Sequence, residues 1–294
     1  AAAAARGGAP PLRLQPLPAE ERAALQDSRW LEPQPFENAR LNRVFDTVLE
    51  EYAEKFSSEE PAELAAVRRA TEEAMPWAAH MVSGHLQGAL LTALARLTGA
   101  RRVLEVGTFT GYSALCFARG LPPADGDGDG GGGGGRVVTL EVDAEAAAVA
   151  RKNFENDPHG LKVQLKHGKA LDIFPELVAS KEQYDIIFID GDKKKYIEYY
   201  DLILQNGLLS KGGIILADNV LYKGGVIPHQ TSEEAGEEFS FSEDKKEKRQ
   251  QKIAESLHAF NKHVKADKRT EQVLLPFRDG LTVIRLKDGE NKVL

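Results

Sequence analysis

Two short acidic runs carry the strongest chemical signal in this chain: Asp190-Gly191-Asp192-Lys193 and Asp218-Asn219. Each follows a short apolar stretch, Ile186–Ile189 and Ile214–Ala217, so each is expected where a β-strand ends. Carboxylate and carboxamide oxygens are hard donors that suit magnesium, manganese or calcium rather than zinc. Asp190, Asp218 and Asn219 are therefore candidate ligands of a divalent cation, magnesium first, with manganese or calcium as substitutes. Three protein oxygens leave open positions on a six-coordinate ion, and an enediol or catechol can fill two of them. A cation lowers the pKa of a hydroxyl bound to it. Lys193, three residues after Asp190, can then serve as general base, its own pKa depressed by the nearby positive charge. The competing description is a solvated charge run, Lys193-Lys194-Lys195, in which only position favours Lys193. Acids at strand ends are also common, so neither run is informative alone.

A second constellation lies earlier in the chain, in Leu104-Glu105-Val106-Gly107-Thr108-Phe109-Thr110-Gly111-Tyr112-Ser113. A glycine turn between strand and helix lets backbone approach a ligand closely. The two glycines are spaced G-x-x-x-G, which is not the dinucleotide fingerprint, and a tight turn needing glycine is the competing explanation. Glu141 closes the next strand, where an acid can accept hydrogen bonds from the ribose hydroxyls of an adenosine cofactor. Its interval from the glycine turn exceeds the usual ~20 residues. Removing a run of almost pure Gly and Asp at Asp125–Gly135 largely restores it.

These residues need a sheet to bring them together. Strands are expected at Arg102–Val106, Val137–Glu141, Val163–His167, Asp185–Asp190 and Ile214–Ala217, with helices at Ser113–Arg119, Ala144–Asn156, Ile173–Ser180 and Tyr196–Gln205 between them. Gln272–Leu275 and Leu281–Leu286 flank a turn at Pro276–Gly280 and read as a hairpin. The implied fold is α/β, a doubly wound parallel sheet with an antiparallel terminal strand. A helical N-terminal extension precedes it, with helices over Asn38–Lys55, from near Ser58, and over Leu86–Leu97. Ligands in such sheets sit beyond the carboxyl ends of the strands. Residues 1–35 are expected to be a disordered or processed tail, and 36–294 one domain, with its helical extension at 36–100 and its core at 101–290. Flexible insertions are expected at 122–135 and 226–248, the latter a solvated loop or lid leading into a helix near Ile253–Val264.

Composition narrows the function class. A net charge of −7 argues against a general nucleic-acid binder. No apolar run approaches the ~18 residues of a membrane span. The lone Cys116 excludes an internal disulfide and fits a cytoplasmic location. Residues 1–18, rich in Ala, Pro and Leu and without an acid, carry faint features of an organelle-targeting segment.

Taken together, residues from about Pro76 to Arg285 resemble the cation-dependent O-methyltransferases of the caffeoyl-CoA and catechol type. The matching motifs are Met81-Val82-Ser83, the Glu105–Ser113 turn, Glu141-Val142-Asp143, Gly168-Lys169-Ala170, Ile189–Lys193, Ala217–Asn219 and Phe277–Gly280. The combination is specific although no piece is. The resemblance implies a seven-stranded Rossmann-like sheet and an S-adenosylmethionine site formed by Met81, Ser83, Glu105, Gly107, Thr108, Ser113, Glu141, Ala170, Asp190 and Asp192. It implies Asp190, Asp218 and Asn219 as metal ligands, Lys193 as base, Tyr222 and Lys223 against the methyl acceptor, and a homodimer. The Gly/Asp insertion and the acidic segment after Gly225 depart from the family core. Glu233, Glu234, Glu237 and Glu238 in that segment would repel a polyanionic CoA thioester, which favours a small aromatic diol such as a catechol or flavonoid. Three rivals stand beside this reading. A glycosyltransferase would use Asp190-Gly191-Asp192 as a DxD motif but leaves Asp218-Asn219 unexplained. An NAD-dependent dehydrogenase lacks its third glycine. A non-catalytic scaffold would not be expected to keep the ligands and base together.

Overall fold

Seven strands form in chain order: β1 (Arg102–Val106), β2 (Arg136–Glu141), β3 (Val163–His167), β4 (Tyr184–Ile189), β5 (Leu209–Asp218), β6 (Thr270–Leu275) and β7 (Leu281–Leu286). They make one sheet in the order β3-β2-β1-β4-β5-β7-β6, parallel from β3 to β5, with β7 antiparallel to both β5 and β6. The expected α/β sheet with an antiparallel terminal strand is therefore present: β7, the last in sequence, runs against the other strands. The computed structural model describes residues 49–123, 134–236 and 239–287. The chain divides into two compact units, Ala1–Leu49 and Glu50–Leu294, and every element named here belongs to the second. The tail at 1–35, most of the helix expected over Asn38–Lys55 and nearly all of the Gly/Asp run lie outside the described residues.

The helices are α1 (Ala62–Ala74), α2 (His85–Leu97), α3 (Tyr112–Gly120), α4 (Ala144–Asn156), α5 (Ala170–Ala179), α6 (Tyr196–Gln205), α7 (Val226–Ala235) and α8 (Lys245–Ala266). They cover both faces of the sheet, which is why Ile186, Ile187, Phe188 and Ile189 are consecutive apolar residues and all fully buried. One core joins β-strand side chains to Phe174 and Leu177 of α5, Tyr196, Tyr200 and Ile203 of α6, and Leu257, Phe260 and Val264 of α8. The other joins them to Leu115 and Phe117 of α3 and Phe154 of α4, and includes Leu64 and Val67 of α1 and Leu91 and Ala95 of α2. Those two helices of the extension thus pack on this domain's own sheet. Among the described residues no helix is long and apolar enough to cross a membrane.

Three local expectations are corrected. Helix α1 starts after Pro61 and not near Ser58, because Glu60 turns inward to hold Arg68 and Tyr112 instead of serving as a first-turn acid. The segment 226–248 is largely helical where a flexible loop was expected. Asp244 caps α8 by accepting from the Glu247 amide, and α8 runs well before the expected Ile253. Its first turns are solvated, so apolar spacing marks only the half that meets the core. Strand β5 also begins at Leu209, ahead of Ile214, through an irregularity at Gly212-Gly213, where Gly212 has φ +81.

Candidate active site

Register places the chemistry. Val106 lies opposite Leu140 and Ile189, and Ile189 lies opposite Ala217. The central strands therefore finish level, and Gly107, Glu141, Asp190 and Asp218 emerge along one edge of the sheet. The Asp190 amide donates to the Val106 carbonyl at 2.9 Å, and the Gly107 and Thr108 amides donate to the Leu140 carbonyl at 3.0 and 3.1 Å.

Gly107 has φ +104, and a Cβ there would collide with the carbonyl of Asp190. The residue is required twice over, by conformation and by the close approach of two strand ends. Gly107→Ala should cost on the order of 1–3 kcal/mol and lower Tm by several degrees in calorimetry. An unchanged Tm would mean that the turn has room to spare. Phe109 follows in the left-handed region at φ 49, an uncommon state for an aromatic residue. Its amide donates to Glu141 Oε2 at 2.6 Å, while the Asp143 amide donates to Glu141 Oε1 at 2.8 Å. Glu141 therefore ties the turn down with one lone pair of each oxygen and keeps a second on each for a ligand.

Glu105 is fully buried. Its Oε2 accepts from the Thr139 hydroxyl, which also bonds Thr108, while Oε1 has no partner of good hydrogen-bonding geometry. Burial pushes its carboxyl up to about 8; the Ser113 and Thr139 hydroxyls offset this in part, and the Asp190 and Glu141 charges add to it. An acid whose folded pKa is raised binds its proton more tightly folded than unfolded. Its contribution is then full below the unfolded value of 4.5 and is lost as pH rises through about 8. Glu105→Gln should therefore gain stability over the native chain between about pH 5 and pH 8, with the gap closing near pH 4. Tm measured across that range checks it, and a gap that widens toward acid would refute the assignment.

At the neighbouring strand ends, the Lys193 ammonium donates to Asp190 Oδ1 at 2.7 Å and lies 5.8 Å from the Tyr196 ring centre. The Tyr196 hydroxyl donates to the Asp218 carbonyl at 3.1 Å. The Asp218 carboxylate is buried, with Oδ1 accepting from the Asn219 amide at 2.8 Å and Oδ2 from Gln87 Nε2 at 2.6 Å. Burial, then the charge of Asp190, raises the Asp218 carboxyl well above the usual range, against the pull of Gln87, the Asn219 amide and Lys193. Burial alone would lower Lys193, but Asp190, Asp218 and Asp279 outweigh it and raise its pKa. The depressed amine expected for a base is thus not the state these side chains produce by themselves. Asn219 sits at φ 59, which turns the chain sharply away from β5.

The remaining candidates scatter more widely. Met81 is exposed, and Ser83 is half-buried in the approach to α2. Ala170 opens α5 just past β3. Asp192 is exposed and caps the short turn at 193–195 by accepting from the Lys194 amide, so the two acids of the DxD run do different jobs. Tyr222 and Lys223 both have positive φ, and the Lys223 amide is held by the Asp279 carboxylate. Two contacts escaped the sequence reading. Gln87 reaches Asp218 across 131 residues, and Thr71 of α1 bonds Thr110 of the glycine turn at 2.8 Å. An uncharged residue on an amphipathic helix gives no chemical signal of its own.

Comparisons with known proteins bear on the family and the fold. The sequence model described as O-methyltransferase matches residues 54–287. A catechol O-methyltransferase of Niastella koreensis is 39% identical over 195 residues, covering 66% of this chain and 81% of that protein. The catechol O-methyltransferase domain-containing protein 1 of Mus musculus is 33% identical over 264 residues, covering 88% and 87%. Among solved structures, the SAH-bound methyltransferase PaMTH1 of Podospora anserina matches with a TM-score of 0.68 and 31% identity, over 87% of this chain and 99% of that one. By the match of that model over most of its length and by these relatives, the chain belongs to the O-methyltransferase family.

Proposed function

We propose that this chain is an S-adenosylmethionine-dependent, divalent-cation-dependent O-methyltransferase whose acceptor is an aromatic vicinal diol. The observation that carries the reading is the meeting, on one sheet edge, of the Glu105–Gly111 turn with the paired carboxylates Asp190 and Asp218. S-adenosylmethionine supplies an electrophilic methyl group. The residues fit it: Glu105 Oε1 is buried without a partner of good hydrogen-bonding geometry, where an ammonium would be accepted, and the Gly107 turn brings the ends of β1 and β4 together beside it. Glu141 has lone pairs left for ribose hydroxyls.

The fit to a cation rests on donor chemistry. Among the described residues no three His, Cys, Asp or Glu side chains gather as a metal cage, and the third donor of the proposed set is the Asn219 amide. Burial first, and the charge of Asp190 second, nevertheless raise the Asp218 carboxyl, a cost that a cation would relieve. Asp190, Asp218 and Asn219 would hold it, and it would acidify and orient a chelating hydroxyl. Lys193, once the charge of a bound cation favoured its neutral amine, would accept the proton, and the strand ends would keep the nucleophile and the methyl donor in one place.

The choice of a small diol has lost part of its first support. Glu233 faces Lys262 and His258 of α8, and Glu234 accepts from Gln230. Glu237 and Glu238 lie outside the described residues. The catechol O-methyltransferase of Niastella koreensis keeps the diol ahead of a CoA thioester, and a homodimer remains part of the proposal. Radiolabelled methyl transfer to a panel of catechols, flavonoids and hydroxycinnamoyl-CoA, with and without chelator, tests the reading. Transfer to the diols that chelator stops would support it. Turnover indifferent to chelator would remove the cation, and transfer to the CoA ester alone would remove the diol.

A further inference from the structure

The amide of Gln87 lies where no strand end places it. It comes from the first turn of α2, yet its side chain is only 3% exposed and its Nε2 is 2.6 Å from Asp218 Oδ2, itself on a residue 4% exposed. A carboxylate only accepts hydrogen bonds, so the amide nitrogen and not the oxygen must face Asp218. Two features of the fold bring it there. Gly84 at φ 79 starts α2 with a sharp turn, and Gly88 lets the helix close on α3. A Cβ at Gly88 would stand 2.7 Å from Cys116 Sγ and 2.8 Å from Tyr112 Cε1. Helix α2 thus lies closer to α3 than any larger residue at position 88 would permit, and Gln87 is the polar group it delivers to the end of β5.

A buried amide is costly unless it is bonded. The bond that satisfies Gln87 is the one to the Asp218 carboxylate. We propose that Gln87 is a positioning residue of the cation site: by donating to Oδ2 while the Asn219 amide donates to Oδ1, it fixes the rotation of the Asp218 carboxylate. A carboxylate held from both oxygens cannot swing toward the Lys193 ammonium. It presents its remaining lone pairs in one direction, in the way that hydrogen-bond partners behind metal ligands tune affinity. The inference rests on the cation-dependent reading above.

Manganese binding, followed by electron paramagnetic resonance in the presence of S-adenosylhomocysteine, tests it without any turnover. Gln87→Leu keeps the volume and removes the donor; Gln87→Glu keeps the reach and replaces the donor with an acceptor. Both should bind manganese about 10–100-fold more weakly than the native chain, with a native circular-dichroism spectrum and S-adenosylhomocysteine affinity close to native, while Tm falls by the few degrees that an unsatisfied buried polar group costs. Native manganese affinity in Gln87→Leu would overturn the positioning role. Tighter binding by Gln87→Glu would overturn it differently, by making position 87 a ligand. If the native chain itself binds no manganese and Asp218→Ala turns over at the native rate, the cation reading has failed and this role of Gln87 falls with it.

Discussion

Asp218→Ala is expected to reduce methyl transfer by at least about two powers of ten, a loss of roughly 2.7 kcal/mol or more of transition-state stabilisation. The protein should remain folded. The side chain is buried at the end of the central strand pair β4–β5, so its loss removes one of two carboxylates from the proposed cation site while the sheet around it is unchanged. Two local effects on stability oppose each other. The Gln87 amide and the Asn219 amide each lose an acceptor, costing about 1–3 kcal/mol for an unsatisfied buried donor. Against that, the repulsion between Asp190 and a buried Asp218 disappears. Circular dichroism and Tm should therefore show a native fold, cofactor affinity should fall little, and added manganese should not restore turnover. Undiminished turnover in this variant would remove the cation from the reaction.

Much of this was legible in the sequence because it lives in local pattern. The strand ends at Val106 and Glu141 were readable from β-branched runs, and the fourth strand, expected to reach Asp190, stops one residue earlier at Ile189; sheet register then brings Gly107, Glu141, Asp190 and Asp218 to one edge without further instruction. The residues that escaped are those whose role depends on distance in sequence. Gln87 and Thr71 look like ordinary helix residues until α1 and α2 fold over the sheet. Glu60 looks like a first-turn acid until Arg68 and Tyr112 claim it. Helix α8 was read only from Ile253, since its first two turns carry charges that touch no core and so show no apolar period. The electrostatics were the least legible. Spacing proposed Lys193 as a base with a depressed pKa, whereas three surrounding carboxylates raise it, and no one-dimensional pattern reports that balance.

That balance makes Lys193 the more demanding test. Its ammonium is paired with Asp190 and its side chain is 23% exposed, whereas Lys195 is 41% exposed and pairs with Glu198 on the surface. Lys194 is exposed. Lys193→Ala should therefore lower kcat by about 10²–10⁴-fold, the usual contribution of a general base. Lys194→Ala and Lys195→Ala should stay within about twofold of native, as for solvated charges. A loss in Lys193→Ala alone would not separate a proton acceptor from a cation that merely holds Asp190 in place. Lys193→Arg does. Arginine keeps the positive charge and can keep the ion pair, but it cannot give up its proton in the working range of pH. If Lys193 is the base, the Arg variant should be as inactive as the Ala variant, with S-adenosylhomocysteine affinity preserved in both. If the Arg variant instead turns over near the native rate, Lys193 orients Asp190, and the proton leaves the acceptor hydroxyl by another route.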